Sequence, residues 1–404
     1  MKLGYIHSNK EEQARVLQVL KMTSESVALD ELGIGRIRDA FADKMFPGIS
    51  TLQKHIKYFS LMPQLYRKAT EKRYNRPKEV KTEIIRYRPN EVKTEIIRLE
   101  RIMTKNLYEG STDKRGITGS DMINKNSNSY VKYDPAYIYN SGLQTFEILR
   151  SPQLHELIYS ASNALHNAPK AIKSEDEDTN NDTGEKPNIF QFCSFPNVDY
   201  DFTQRCSLDL TAEDKAFIVD HILNAKECKN SLLRYIVDNP DFPIAETFEQ
   251  IPAALLPADL AETQDLARRF ADFMYMIHIR YNYIFSQYQD EELRTLFEEK
   301  LAEFRNSGTD IDKVLNAITI SENSSKRFCK NITEQLFAND TQVGGALDQL
   351  IIKRERDVKK SRRKIGNPAY TYNPKKRIHF YKLSYRWETV KVFADELRKD
   401  TNNG

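Results

Sequence analysis

Cysteine is scarce in this chain of 404 residues: only Cys193, Cys206, Cys228 and Cys329, with no CxxC spacing. That scarcity excludes a disulfide framework and a cysteine-led zinc site, and describes buried thiols in a reducing compartment. The seven histidines form no HxxxH or HxH pair, so no metal is expected. No glycine-rich stretch ends in Gly-Lys-Ser/Thr, and "GIGR" at 33–36 is too short for a phosphate loop. A GxSxG elbow and a recognisable Cys–His arrangement are also missing, so no catalytic residue is assigned. No apolar run approaches the ~18 residues of a membrane helix. The opening stretch, "MKLGYIHSNKEEQARV", lacks the apolar core of an export signal. The expectation is a cytoplasmic protein with no cofactor, no metal and no membrane contact.

What the chain has is charge, unevenly placed. Charged residues make up 29% and hydrophobic residues 40%, enough for a real core divided into two or three lobes. The formal net charge of +3 hides the distribution. Residues 54–106 carry 15 basic and 6 acidic side chains, and residues 351–404 carry 16 and 6. Residues 107–350 carry 23 and 39, while residues 1–53 balance at 7 each. Two basic segments flanking an acidic middle suit nucleic-acid contact, or the docking of one part of the chain on another.

Apolar spacing outlines helices along most of the chain. Ser8 with Glu11 forms a capping box for a helix through Val16, Leu17 and Leu20. Ile37, Phe41 and Met45 fall four apart on one face, and "FPG" at 46–48 stops that helix. Ser50 with Gln53 is a second capping box, predicting a helix that buries Leu52, Ile56 and Phe59, with Pro63 interrupting it or opening the next. Residues 107–145 are polar loops ending in a turn and helix at "YDPAYIYNSGLQTFEIL". The tract "KSEDEDTNNDTGEKPN", 173–188, is too acidic to fold alone.

Beyond it, Thr211 with Asp214 caps a helix and "SLLRYIV" lies in the next. Leu266, Phe270, Phe273, Ile277 and Ile284 stripe a long helix; Leu293, Leu296, Phe297, Leu301 and Phe304 stripe another. At this spacing the aromatic-rich "FADFMYMIHIRYNYIF" reads as core. Leu347, Leu350, Ile351 and Val358 face inward from a basic helix that Gly366 stops. "RIHFYKLSYRW" reads as one or two short strands, and Trp387, Val390, Phe393 and Leu397 mark a closing helix. The expected fold is mainly α, multi-lobed, with a small α+β basic C-terminal element. Four regions are expected: 1–110, helical with a helix-turn-helix-like hairpin and a duplicated insert; 111–190, a loop-rich connector with an acidic linker; 191–340, helical; and 341–404, a basic helix and strand element.

The duplicated insert is "RPKEVKTEIIRY" followed at once by "RPNEVKTEIIRL", differing only at Lys78/Asn90 and Tyr87/Leu99. Proline lacks the helical donor, so Pro89 should end or sharply kink a helix entering from the first copy. A 12-residue step turns an ideal helix about 120° past whole turns, so the two apolar faces cannot align. Two copies are too few for a solenoid. A peripheral tandem duplication at a helix start is expected.

The positive signals concern binding. Residues 30–60 have the layout of helix, glycine-containing turn and helix, and Lys54, His55, Lys57 and Tyr58 fall where a recognition helix would meet phosphates and base edges. A plain helical hairpin has the same pattern. Near the C-terminus, Lys359, Lys360, Arg362, Arg363 and Lys364 cluster, then Lys375, Lys376 and Arg377. Tyr370, Tyr372, Phe380, Tyr381, Tyr385 and Trp387 are interleaved with them. Such bases neutralise phosphates, and such rings offer stacking faces to unpaired bases. The alternative is that the charges dock on the acidic middle and the rings fill a small core. With Arg386, these bases, Lys54, Lys57 and Trp387 form the candidate nucleic-acid-binding set. DNA or RNA is the expected partner.

The stretch "LDELGIGRIRDAFADKMFPGISTLQKHIKYFSLMPQLY" resembles the opening signature of an uncharacterised bacterial family, DELGIG-x-IRDAFAD-x-x-FPG-x-ST. The resemblance continues through "YIYNSGL", "LTAEDKAFIVDHIL", "LIIKRERDVKKSRRKIGN" and "LSYRW". Gly33, Gly35, Arg38, Asp39, Asp43, Pro47, Gly48, Ser50, Arg354, Glu355, Arg386 and Trp387 match its pattern. The chain departs from it in the duplicated insert, in the acidic tract, and at "MPQLY", where a tryptophan would follow the proline. The resemblance implies a gene context often near helicase and phospholipase-D-like nuclease genes in anti-phage islands. The resemblance therefore implies a non-catalytic accessory or nucleic-acid-binding component of a bacterial anti-phage defence system, with helicase and nuclease subunits as partners. A scaffold that binds only proteins and an unrecognised nuclease are the alternatives. Asp39 and Asp43, four apart beside Arg38, are expected to form a small buried ion-pair network.

Overall fold

The computed structural model describes residues 30–71, 89–123, 131–150, 193–338 and 341–400. The helix expected from Ser8, the first copy of the duplication and the acidic 173–188 tract lie outside these residues. Among the described residues there are twelve α-helices. They are α1 (Gly35–Met45), α2 (Tyr58–Glu71), α3 (Pro89–Gly110), α4 (Pro135–Thr145), α5 (Ala212–Asn224) and α6 (Leu232–Asp238). After these come α7 (Ala258–Phe285), α8 (Glu291–Asn306), α9 (Ile311–Asn316), α10 (Ser324–Phe337), α11 (Ala346–Lys359) and α12 (Trp387–Arg398). The chain divides into two compact units, Met1–Met45 with Thr247–Tyr385, and Phe46–Glu246 with Arg386–Gly404.

In the first unit α7 is the longest element, 28 residues or about 42 Å. Leu266, Phe270, Phe273, Ile277 and Ile284 are buried on it as their spacing predicts. Ile37, Phe41 and Met45 bury one face of α1, and the Phe41 ring stacks on Phe270 at 5.9 Å. Leu293, Phe297, Leu301 and Phe304 are buried on α8, and Asp290 caps it by accepting from the Leu293 amide. A buried pair of charges enters this core. Arg280 and Asp348, both nearly inaccessible, meet through two parallel bonds of 2.6 and 3.0 Å, the fork geometry that makes burial of two charges tolerable.

The second unit gathers α2 to α6 and α12. Thr211 and Asp214 form the expected capping box at α5. Trp387, Val390, Phe393 and Leu397 are all buried on α12, and the Trp387 indole N–H donates to the Ala245 carbonyl at 3.0 Å. Gly48 takes φ +76°, and a Cβ there would stand 2.9 Å from the Phe146 ring, so the turn after "FP" requires glycine.

Several expectations are corrected. No strand occurs among the described residues; the one β-bridge joins Leu149 and Cys193. The stretch read as strands, 377–387, is irregular, and a side chain of α7 takes up the backbone groups of Ile378. Asn282 both accepts from the Ile378 amide and donates to the Ile378 carbonyl, each at 2.7 Å. His379, Tyr385 and Arg386 all have positive φ, which no strand tolerates. Ser50 and Gln53 close a turn, not a helix: the Gln53 amide oxygen accepts from Ser50 N at 3.0 Å, and α2 begins only at Tyr58. Leu52 is accordingly exposed, while Ile56 and Phe59 are buried. Lys54, His55 and Lys57 precede the helix, and α1 and α2 fall in different units, so no recognition helix carries them. Pro63 lies inside α2. Arg38 and Asp39 pair at 3.0 Å but remain more than a third exposed, and Asp43 is exposed, so that network is on the surface.

The second copy of the duplication is not peripheral. Pro89 is the first residue of α3, where its missing donor costs nothing. Ile96, Leu99 and Glu100 on that helix are buried.

Candidate nucleic-acid interface

The "DELGIG" stretch and the basic C-terminal segment meet inside the first unit. Asp30 folds the stretch on itself, its carboxylate accepting from the Leu32 and Ile34 amides. Gly33 follows with φ +63°, and a Cβ there would come within 2.9 Å of Val358 and 3.0 Å of the Arg354 guanidinium. Only glycine fits that approach. Arg354 uses it by donating to the Leu32 carbonyl at 2.7 Å and to the Ser325 hydroxyl at 2.9 Å. Ser325 in turn donates to the Gly33 carbonyl at 2.6 Å.

Helix α11 presents Leu347, Ile351, Glu355 and Lys359, each four residues on, as one buried stripe. The first two are apolar and the last two charged, so the stripe changes from packing to polar anchoring halfway along. Glu355, fully buried, accepts from the Tyr281 hydroxyl at 2.6 Å, from Lys364 N at 2.7 Å and from Ile365 N at 3.1 Å. It thereby fixes where the chain goes after the helix.

Glu31 gathers both ends of the following loop. Lys364 Nζ lies 2.7 Å from its Oε1 and Lys359 Nζ 3.5 Å. His379 Nε2 lies 2.5 Å from Oε2. Burial alone would raise this carboxyl, but hydrogen bonds and charge from His379 and Lys364 outweigh it and hold it well below the usual range. His278, buried beside His379 with ring centroids 5.2 Å apart, has no hydrogen-bond partner at Nε2 among the described residues. Burial, reinforced by the neighbouring His379, pushes His278 down to about 3, so its ring is neutral.

The twelve candidate residues divide into two groups. Six are engaged internally. Lys359 and Lys364 serve Glu31, and Arg377 pairs with Asp290 at 3.1 Å and Glu292 at 2.6 Å. Arg386 donates to the Ile49 carbonyl at 2.7 Å, and Trp387 is inaccessible. Lys57 is buried against Asp214 at 3.4 Å and donates to the Asp209 carbonyl. The other six face solvent. Lys360, Arg362, Lys375 and Lys376 are exposed and Arg363 is half-buried, and none of the five has an ion pair among the described residues. Lys54, in the second unit, is exposed and donates to the Thr51 carbonyl.

The five free cations sit on two limbs of one loop. Lys360, Arg362 and Arg363 lead into Lys364, Lys375 and Lys376 precede His379, and Glu31 ties Lys364 to His379. Asn367 closes the first limb by donating to the Ser361 and Arg363 carbonyls, and Asn373 closes the second by accepting from the Lys375 amide. Tyr370 and Tyr381 are 41% and 60% exposed on the same loop. Tyr372, Phe380 and Tyr385 are engaged: by Asp290, by the Tyr275 ring at 5.5 Å, and by the Ala267 carbonyl.

In the second unit Lys54, His55 and Lys57 line a groove of about 1250 Å³. His55 places Nδ1 2.6 Å from Glu396 and Nε2 2.7 Å from the Arg115 carbonyl. Burial works against its charge, but these two acceptors prevail and raise its pKa above the ordinary value. Sequence reasoning missed Glu31, His278, His379 and Asn282 as organising residues. The four-residue step from Leu347 to Lys359 was the one signal for the Glu31 contact.

Among the described residues, no three His, Cys, Asp or Glu side chains are grouped to hold a metal ion, and no helix is long and apolar enough to cross a membrane. No curated protein and no solved structure matches the chain. Residues 1–290 match the model of a family of unknown function, DUF6361, which covers the "DELGIG" stretch and ends before α11, and the chain belongs to that family.

Proposed function

We propose that this protein is a nucleic-acid-binding accessory protein that performs no chemistry itself and works beside partners that do. One observation carries the reading: five cations without ion pairs among the described residues lie on two limbs of a loop closed by Glu31, with two exposed tyrosines between and beside them. Unpaired surface cations in such density repel one another. Phosphates relieve that repulsion and release counterions on binding. The resemblance of the "DELGIG" signature supports placing the protein in the bacterial cytoplasm, in anti-phage defence, with helicase and nuclease subunits.

The test is fluorescence anisotropy of labelled oligonucleotides at two salt concentrations, for the wild type and a variant with Lys360, Arg362, Arg363, Lys375 and Lys376 changed to Glu. The wild type binds saturably and weakens steeply with salt. The variant loses binding, and any residual salt slope is shallower by about one per phosphate contact removed. Its melting temperature stays close to wild type, because none of the five supports the core. Equal binding by both proteins removes the loop from consideration.

A protein-only scaffold is the second reading, and the internal engagement of Lys359, Lys364 and Arg377 favours it. It predicts no oligonucleotide binding at physiological salt and a stable complex with the products of neighbouring genes.

A further inference from the structure

We infer that the loop takes unpaired nucleic acid, DNA or RNA, and that the Tyr381 ring is the platform on which a base stacks. This rests on the nucleic-acid reading above and adds the strand form and the residue. Two observations carry it. The first is the shape of the loop: its free cations lie on one 3-10 turn, Lys360–Arg362, and on irregular backbone between α11 and α12, with no α-helix or strand to enter a major groove about 12 Å wide. A flexible single strand can follow such a surface, whereas a duplex presents phosphates at fixed spacing.

The second is the state of Tyr381. At 60% it is the most exposed of the large apolar and aromatic side chains described, yet it is held in place. Its hydroxyl lies 3.0 Å from His379 Nδ1, and its ring meets the imidazole edge to face at 5.8 Å. His379 is itself held by Glu31, the carboxylate that also holds Lys364. A contiguous chain of contacts therefore links the ring to the basic limb at Arg363 and Lys364. An aromatic face held in advance loses little freedom on binding. Base–aromatic stacking tolerates any base, because every base has a π-face.

The experiment compares a labelled oligothymidine with the matched duplex at one salt concentration, using the full-length chain. A strand carrying 2-aminopurine reports stacking by its fluorescence. The single strand is expected to bind at least tenfold more tightly than the duplex, with quenching of 2-aminopurine. Tyr381→Ala is expected to cost about tenfold in single-strand affinity, the loss of one stack, and to abolish the quenching. The salt slope and duplex affinity should not change. Tyr381→Phe, which keeps the ring, should retain most of the affinity. An unchanged melting temperature shows that both variants fold. Equal affinity for the two forms, or unaltered single-strand binding by Tyr381→Ala, overturns the inference while the charge-reversal result leaves the nucleic-acid reading standing. No binding of either form by the wild type overturns both.

Discussion

Lys57 and Lys360 are the same residue type in segments of similar charge, yet one is buried and the other solvated. The difference is whether a buried acceptor waits for the cation. Asp214 is inaccessible and already accepts from Ser60, Tyr200 and the Thr211 amide, and Lys57 completes its shell. Glu100 is the opposite case. It is inaccessible, one oxygen accepts from the Ala136 amide at 2.8 Å, and the other has no partner among the described residues. Burial, helped by the nearby Asp134 charge, pushes its carboxyl up to about 9. The unfolded chain then releases its proton near pH 4.5 while the folded chain keeps it. Stability is therefore full below about pH 4.5 and falls as pH rises to about 9. Glu100→Gln removes that penalty, so it should stabilise the protein by about 3 kcal/mol at pH 7 and by nothing at pH 4. Denaturant titrations at the two pH values measure this, and an equal effect at both would show that Glu100 is ionised in the fold.

At the scale of elements, the duplication gives an internal control. Excising residues 76–87 leaves the second copy intact, with Leu99 in its buried place on α3. Excising residues 88–99 leaves the first copy instead, which puts tyrosine where Leu99 stands. Overpacking a filled site costs about 1–3 kcal/mol. The first deletion should leave the melting temperature near wild type and the second should lower it. Equal melting of the two deletion proteins would show that the Leu99 site expands freely. The proline was legible as a helix boundary because its missing donor is a local property. The burial of Ile96 and Leu99 was not, because it depends on how α3 packs against α2 and not on the repeat itself. The strands expected at 377–387 fail for the same reason: alternating residues look like a strand until Asn282 claims both backbone groups of Ile378, which a ladder would need.

Over the whole molecule, both units are assembled from distant parts of the chain. The second unit depends on the last helix. Trp387 and Phe393 are buried, and Glu396 accepts from the Ile56 amide while facing His55. Losing a buried Trp or Phe side chain costs about 3–5 kcal/mol each. Together that is comparable to the roughly 5–15 kcal/mol that stabilises a domain. A chain ending at Tyr385 should therefore lose the fold of the second unit. Hydrogen exchange across Tyr58–Glu71 reads this directly, and protection equal to wild type would show that the unit stands without its final helix.

The sequence by itself determined the helical class, the striped faces of α1, α7, α8 and α12, the capping box at Thr211 and the location of the basic loop. Those features follow from periodicity, capping chemistry and composition, which act over a few residues. Only the tertiary structure decided that the "DELGIG" stretch and the basic segment share one unit, that Glu31 binds Lys359, Lys364 and His379, and that five of the cations have no ion pair among the described residues. A charge becomes structural or available according to what the fold brings within about 4 Å of it, and that distance is not written in any local stretch of sequence.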